Sequence, residues 1–195
     1  VKFTRPEMLK AGMELMARWC ALNGVAQPRV EIYEGRETDF GVCAYYRDDV
    51  IHIWPDACAH VGYGGRAWSY PGYVVDRTPY GVIQHELGHH VDDAAGSRGG
   101  RVAHRWRAAT KEEPLTGYCP NNNEWFAEMF RLFVTNPELL SLVRPRTHHL
   151  MQMEWPHPVE TRRWQDVLNH TERQVNAAWN KISNVQRKEV QDGLF

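Results

Sequence analysis

No run of apolar residues in this chain approaches the roughly 18 needed to cross a bilayer, which excludes a membrane-spanning helix. No charge sign dominates. Lys and Arg number 23 against 24 Asp and Glu, a net charge of −1, so nothing draws the whole molecule toward nucleic acid or an anionic membrane. Cysteine is scarce: Cys20, Cys43, Cys58 and Cys119 are widely spaced and form no Cys-x-x-Cys pair. That excludes a disulfide framework or a cysteine zinc site and reads as buried free thiols in a reducing compartment. The segment Val1-Lys2-Phe3-Thr4-Arg5-Pro6 lacks the basic start and unbroken apolar stretch of a signal peptide, and it has no initiator Met. A cytoplasmic location is the expectation, whatever trimming the first residue reflects. Repeats and low-complexity linkers are absent as well.

What is present is the composition of a globular domain, 43% apolar and 24% charged over 195 residues. That length supports one buried core and hardly two, so a single domain over 1–195 is expected. Pro6 to Leu22 reads as a helix, with Lys10, Glu14 and Arg18 on one face and Met8, Leu9, Leu15, Met16, Cys20 and Leu22 supplying apolar surface, ended by Asn23-Gly24. Val30 to Tyr33 is a short strand. Phe40 to Tyr46 and Val50 to Trp54 are β-rich runs joined at Arg47-Asp48-Asp49, a hairpin signal. Residues 60–77 read as a loop. Thr78 as N-cap, Pro79 at the first position and Gly96 past the end bound a second helix, Tyr80 to Ala95. Further helices are expected from Val102 to Glu113 and from Glu124 to about Val134, and one or two amphipathic ones over 158–191. Strands early and helices late give an α+β domain.

The chemistry lies in His85-Glu86-Leu87-Gly88-His89. Residues four apart share a helix face, with Cβ atoms about 5–6 Å apart, so two imidazoles can converge on one ion. Glu86 lies beside that line, where it can take a proton from metal-activated water. His90 is turned about 140° from His85 and is excluded as a ligand from the same face. A catalytic zinc needs a third protein ligand. The downstream candidates are His104, Glu124, Glu128 and His148-His149; Ala95 occupies the position where an extended three-histidine pattern would need one. The pair Glu124 and Glu128, four apart on a new helix, fits best: Glu124 near the helix start turns toward the metal, and Glu128 accepts from the far nitrogen of a ligating imidazole. Asp92 or Asp93 is expected to bond a ligand or backbone group, or to face solvent. The run Arg98, Arg101, Arg105, Arg107, Lys111 reads as a solvated face, and His148, His149 and His157 as loop residues among prolines.

The stretch Ile83 to Gly96, with Lys111-Glu112-Glu113, Leu115-Thr116-Gly117-Tyr118 and Asn123 to Leu132, resembles the gluzincin metallopeptidases, and within them the catalytic domain of anthrax lethal factor. The resemblance spans roughly residues 80–135. It implies a zincin-like fold in which a small N-terminal sheet with helices precedes the active-site helix and a mainly helical part follows. It also implies zinc ligands His85, His89 and Glu124, a base at Glu86, and an active-site tyrosine at Tyr118, although the Tyr118-to-Glu124 spacing is a residue shorter than in that family. The expected activity is zinc-dependent hydrolysis of peptide bonds in a peptide or protein substrate. No nucleic-acid or membrane partner is expected, and the chain is read as a monomer. The hairpin offers an edge strand against which an extended substrate can pair. The competing readings are a non-catalytic, zinc-stabilised protein-binding module and a DNA-associated regulator using the same fold. An intact Glu86 argues against the first, because structural zinc needs no base.

Overall fold

Thr4 starts the chain's first helix with a reciprocal cap: its hydroxyl accepts from the Glu7 amide at 3.4 Å, and the Glu7 carboxylate accepts from the Thr4 amide at 2.7 Å. This helix, α1 (Arg5–Asn23), ends where Gly24 takes φ 64°, a left-handed turn that costs glycine nothing. The computed structural model describes residues 3–35, 42–58, 76–96, 102–115, 121–164 and 166–167. After α1 come β1 (Arg29–Ile32), β2 (Ala44–Arg47) and β3 (Val50–Ile53). Helices α2 (Pro79–Gly96), α3 (Val102–Thr110), α4 (Asn122–Thr135), α5 (Pro137–Val143) and α6 (Pro145–Glu154) follow, then a 3-10 turn at Thr161–Trp164. The architecture is α+β.

The sheet order is β1-β3-β2, with β1 parallel and β2 antiparallel to β3. Asp48 and Asp49 both adopt positive φ, 52° and 62°, the geometry of a two-residue hairpin turn whose twist matches the strands. Alternation then decides the faces. Ile51 and Ile53 are fully buried, whereas Tyr45 stacks on its cross-strand partner His52 at 4.6 Å and Tyr33 on Trp54 at 4.7 Å. The helical core gathers Trp19 of α1, Phe126 and Phe130 of α4, and Trp155; Trp19 meets Phe130 edge-on at 4.9 Å. Helix α1 comes close to the start of α2 because Gly12 has no side chain: a Cβ there would lie 3.1 Å from the Tyr80 Cα. Gln84 Nε2 donates to the Gly12 carbonyl at 2.7 Å.

Three sequence expectations need correction. Helix α3 stops at Thr110 rather than Glu113, because Lys111 takes φ 52° and turns the chain. Glu112 is thereby released to accept from the Arg146 and Thr147 amides, both at 2.9 Å, at the start of α6. The proline-rich stretch after Asn136 is helical: Pro137 and Pro145 occupy first-turn positions, where the missing N–H has no cost. His148 and His149 therefore lie on α6, not in a loop, while His157 lies outside regular structure, as expected. The strand anticipated from Phe40 begins at Ala44; residues 40 and 41 lie outside the described residues. The C-terminal helices expected over 158–191 lie mostly outside the described residues; within 158–164 and 166–167 the 3-10 turn spans Thr161–Trp164. Among the described residues, no helix is long and apolar enough to cross a membrane.

Candidate metal centre

Two helix starts aim the site. Asp76 Oδ1 accepts from the amide and hydroxyl of Thr78, at 2.9 and 2.7 Å, and Thr78 Oγ1 in turn accepts from the Gly81 amide of α2. On α4, Asn121 accepts from the Glu124 amide at 3.0 Å, so Glu124 is the third residue of the helix and stands near its positive end. The helices then touch at Gly88 and Ala127. A Cβ on Gly88 would lie 2.8 Å from the Ala127 Cα, so the middle of the histidine motif must be glycine for α2 to approach this closely. The close approach sets His85 and His89 opposite Glu124 and Glu128.

His85 Nε2 lies 3.0 Å from Glu124 Oε2, and His89 Nε2 lies 3.6 Å from the same oxygen. One donor atom from each of His85, His89 and Glu124 falls within 4.8 Å of the others, a group that could hold a metal ion. Ligands about 2.0–2.1 Å from a tetrahedral zinc stand roughly 3.4 Å apart, so these separations suit such an ion. Behind them, His85 Nδ1 lies 2.8 Å from Glu128 Oε1. Arg131 clamps Glu128 with both prongs, Nε to Oε1 at 3.0 Å and Nη2 to Oε2 at 3.1 Å. Glu128 is fully buried, and Arg131 is 6% exposed.

The charges follow from these contacts. Burial favours neutral His85, but hydrogen bonds to Glu124 and Glu128 outweigh it and raise its pKa to about 10. Burial likewise works against ionised Glu124, yet the two histidines hold it far below the usual carboxylate range. Glu128 is lowered to about 2 against its burial by Arg131 and His85. Glu86 goes the other way. Its burial raises the carboxyl, offset in part by the two histidines and a backbone hydrogen bond from Tyr46. In the metal-free chain a proton on His85 therefore supplies the positive charge that an ion would bring.

The group opens into a cavity of about 540 Å³. His85, Glu86, His89 and Glu124 line one wall, and Ala44 and Tyr46 of β2 line the other. Among the described residues β2 is at the end of the strand order, and all four of its residues line this cleft.

The sequence-derived candidates divide cleanly. His85, His89 and Glu124 come together, Glu86 lies beside them, and Glu128 contacts His85 from behind. Neither carboxylate of α4 is a solvated surface group. His90 points elsewhere, with Nε2 2.8 Å from the Ala26 carbonyl and Nδ1 3.3 Å from the Tyr46 hydroxyl. Asp92 accepts from the Ala103 amide at 3.0 Å and so anchors the start of α3; Asp93 lines the cleft. His104 is exposed on α3, and His148 packs edge-on against Phe133, both outside the metal group. Of the basic run, Arg107 bonds Asn122 Oδ1 at 3.0 Å, while Arg98 and Arg101 lie outside the described residues, as does Tyr118. Sequence reasoning missed Arg131 and the Gly88–Ala127 contact. The first carried a signal, since Arg131 is one turn after Glu128; the second required knowing which helices meet. Comparisons with protein-family models, with curated proteins and with solved structures found no match to this chain.

Proposed function

We propose that this chain is a zinc-dependent endopeptidase with a zincin-like fold and the gluzincin ligand pattern, holding zinc through His85, His89 and Glu124. The observation that carries the reading is the convergence of those three donors on a cleft with a fourth, buried carboxylate beside them. Bound there, zinc supplies Lewis acidity, polarising a peptide carbonyl and lowering the pKa of water toward about 7. Glu86 is the general base: it takes the proton from the attacking water and delivers it to the leaving amine. Its raised pKa suits a group that must both accept and return a proton. Glu128, held by Arg131, fixes the His85 ring by accepting from Nδ1 and leaves Nε2 turned toward Glu124 and His89. The outer edge of β2 binds an extended peptide by backbone hydrogen bonds along the cleft. Tyr118 donates to the oxyanion.

The test is cleavage of a broad peptide library by the zinc-supplemented chain, with and without a chelator. Cleavage that the chelator abolishes and zinc restores supports the proposal. One bound zinc without cleavage of any peptide would replace it with the binding-module reading.

A further inference from the structure

Cys43 and Cys58 flank the β2–β3 hairpin, and its geometry brings them together. The Cys43 carbonyl accepts from the Trp54 amide at 2.9 Å, continuing the β2–β3 ladder one residue beyond Ala44. After β3 the chain turns back on itself: the amides of Ala57 and Cys58 both donate to the Trp54 carbonyl, at 2.9 and 3.2 Å. This turn lays Cys58 over Cys43, with Cys58 Sγ donating to the Cys43 carbonyl at 3.5 Å. The charge of Arg77, next to the Thr78 cap of α2, acts on Cys43 as well. The charge of Glu86 acts on both sulfurs.

We propose that Cys43 and Cys58 form a peroxide-oxidisable dithiol that closes to a disulfide and staples the strand lining the cleft. The two sulfurs are unequal. The neighbouring Cys58 thiol lowers the Cys43 pKa, burial opposes this, and the Arg77 charge adds to the lowering. Cys58 is shifted upward by the neighbouring Cys43 and by burial. Cys20 provides the contrast, since burial alone pushes it up to about 12. Cys43, also the more exposed of the two, is thus the attacking sulfur and Cys58 the resolving one. Burial selects the oxidant: Cys43 is 8% exposed and Cys58 1%, which admits hydrogen peroxide and hinders a tripeptide disulfide.

The Cys43 thiolate attacks one peroxide oxygen, the O–O bond breaks, and Cys43 becomes a sulfenic acid while hydroxide leaves and takes up a proton. The Cys58 sulfur then attacks the Cys43 sulfur. An S–S bond forms, the S–O bond breaks, and the departing hydroxyl carries the Cys58 proton away as water. Two thiols and one peroxide give one disulfide and two waters. The bond ties the first ladder residue of β2 to the turn after β3, next to Ala44 and Tyr46 in the cleft wall.

This inference does not depend on a bound metal, and its test reads covalent chemistry. The full chain is titrated with hydrogen peroxide, remaining thiols are alkylated under denaturing conditions, and the protein is mapped by mass spectrometry. The expected product has lost two hydrogen atoms, links Cys43 to Cys58, leaves Cys20 alkylated, and reverts with dithiothreitol. In Cys58→Ser, oxidation should stop at a Cys43 sulfenic acid captured by a 1,3-dione probe. Wild-type chain in which Cys43 and Cys58 both remain alkylatable under peroxide that oxidises free cysteine overturns the proposal. So does a disulfide that joins either of them to another cysteine.

Discussion

Gly88→Ala probes the contact that holds the two halves of the metal centre together. Alanine in a helix interior normally gains about 0.5–1 kcal/mol over glycine. Here the new methyl would meet the Ala127 Cα at 2.8 Å, the Ala127 Cβ at 3.3 Å and the Ala127 carbonyl at 3.3 Å. Two of these three atoms are main chain and cannot rotate away, so α2 and α4 must separate by a few tenths of an ångström. Overpacking of this kind costs about 1–3 kcal/mol, which leaves a net destabilisation of roughly 0–2.5 kcal/mol after the helix gain. The larger consequence is geometric. His85 and His89 ride on α2 and Glu124 on α4, so the separation acts directly on the 3.0 and 3.6 Å donor spacings. Zinc affinity, measured by competition with a chromogenic chelator, should fall at least tenfold in a variant whose circular dichroism stays native. Ala127→Gly should not rescue it, because the closest atom is the Ala127 Cα. A Gly88→Ala protein as stable as the parent and binding zinc equally well would refute the packing argument.

Glu124→Ala should lose nearly all bound zinc, whereas Glu128→Ala should lose about 10–100-fold in affinity, as removal of a group that orients a ligand does; metal analysis after dialysis checks both, and the reverse order would mean the two carboxylates have been exchanged. Arg131→Met leaves the Glu128 charge buried without its cation and should destabilise the fold by about 3–5 kcal/mol in urea titration, with much of the loss recovered by adding Glu128→Gln. In the metal-free chain, His85 is raised to about 10 from 6.5, so its contribution to stability is complete below pH 6.5 and is lost as pH rises through about 10. Glu128 is lowered to about 2 from 4.5, so its contribution is complete above pH 4.5 and is lost as pH falls toward 2. Thermal melts with chelator should therefore peak between about pH 4.5 and 6.5, and added zinc, by replacing the His85 proton, should remove the alkaline decline.

The elements that sequence located best were those whose ends carry their own chemistry. Gly24 and Thr78 each mark a boundary through a left-handed turn or a local hydrogen bond, and such signals need no tertiary context. The histidine pair and the Glu124–Glu128 pair were legible for the same reason, since helical spacing alone places each pair on one face. Which face meets which was not legible. The parallel pairing of β1 with β3 depends on contacts between residues about 20 positions apart. The prolines at 137 and 145 were misread because proline both ends and begins helices, and the choice here depends on capping by Asn136 and by Glu112, the latter more than 30 residues away. Lys111 at φ 52° gives no sequence signal, because lysine carries no preference for that conformation. Arg131 lay in plain view one turn from Glu128, and only the burial of both separates it from an ordinary surface pair.

The most direct test of the account is Glu86→Gln. Glu86 adjoins His85 yet is not one of the three donors that could hold a metal ion. The substitution keeps size and one acceptor oxygen but removes the basic site. Zinc content and peptide turnover should be measured on the same preparation. The account predicts one zinc per chain, as in the parent, with turnover reduced by at least the roughly 10²–10⁴-fold that a general base supplies. Parent-like turnover in the zinc-loaded variant would contradict it, as would loss of the metal itself.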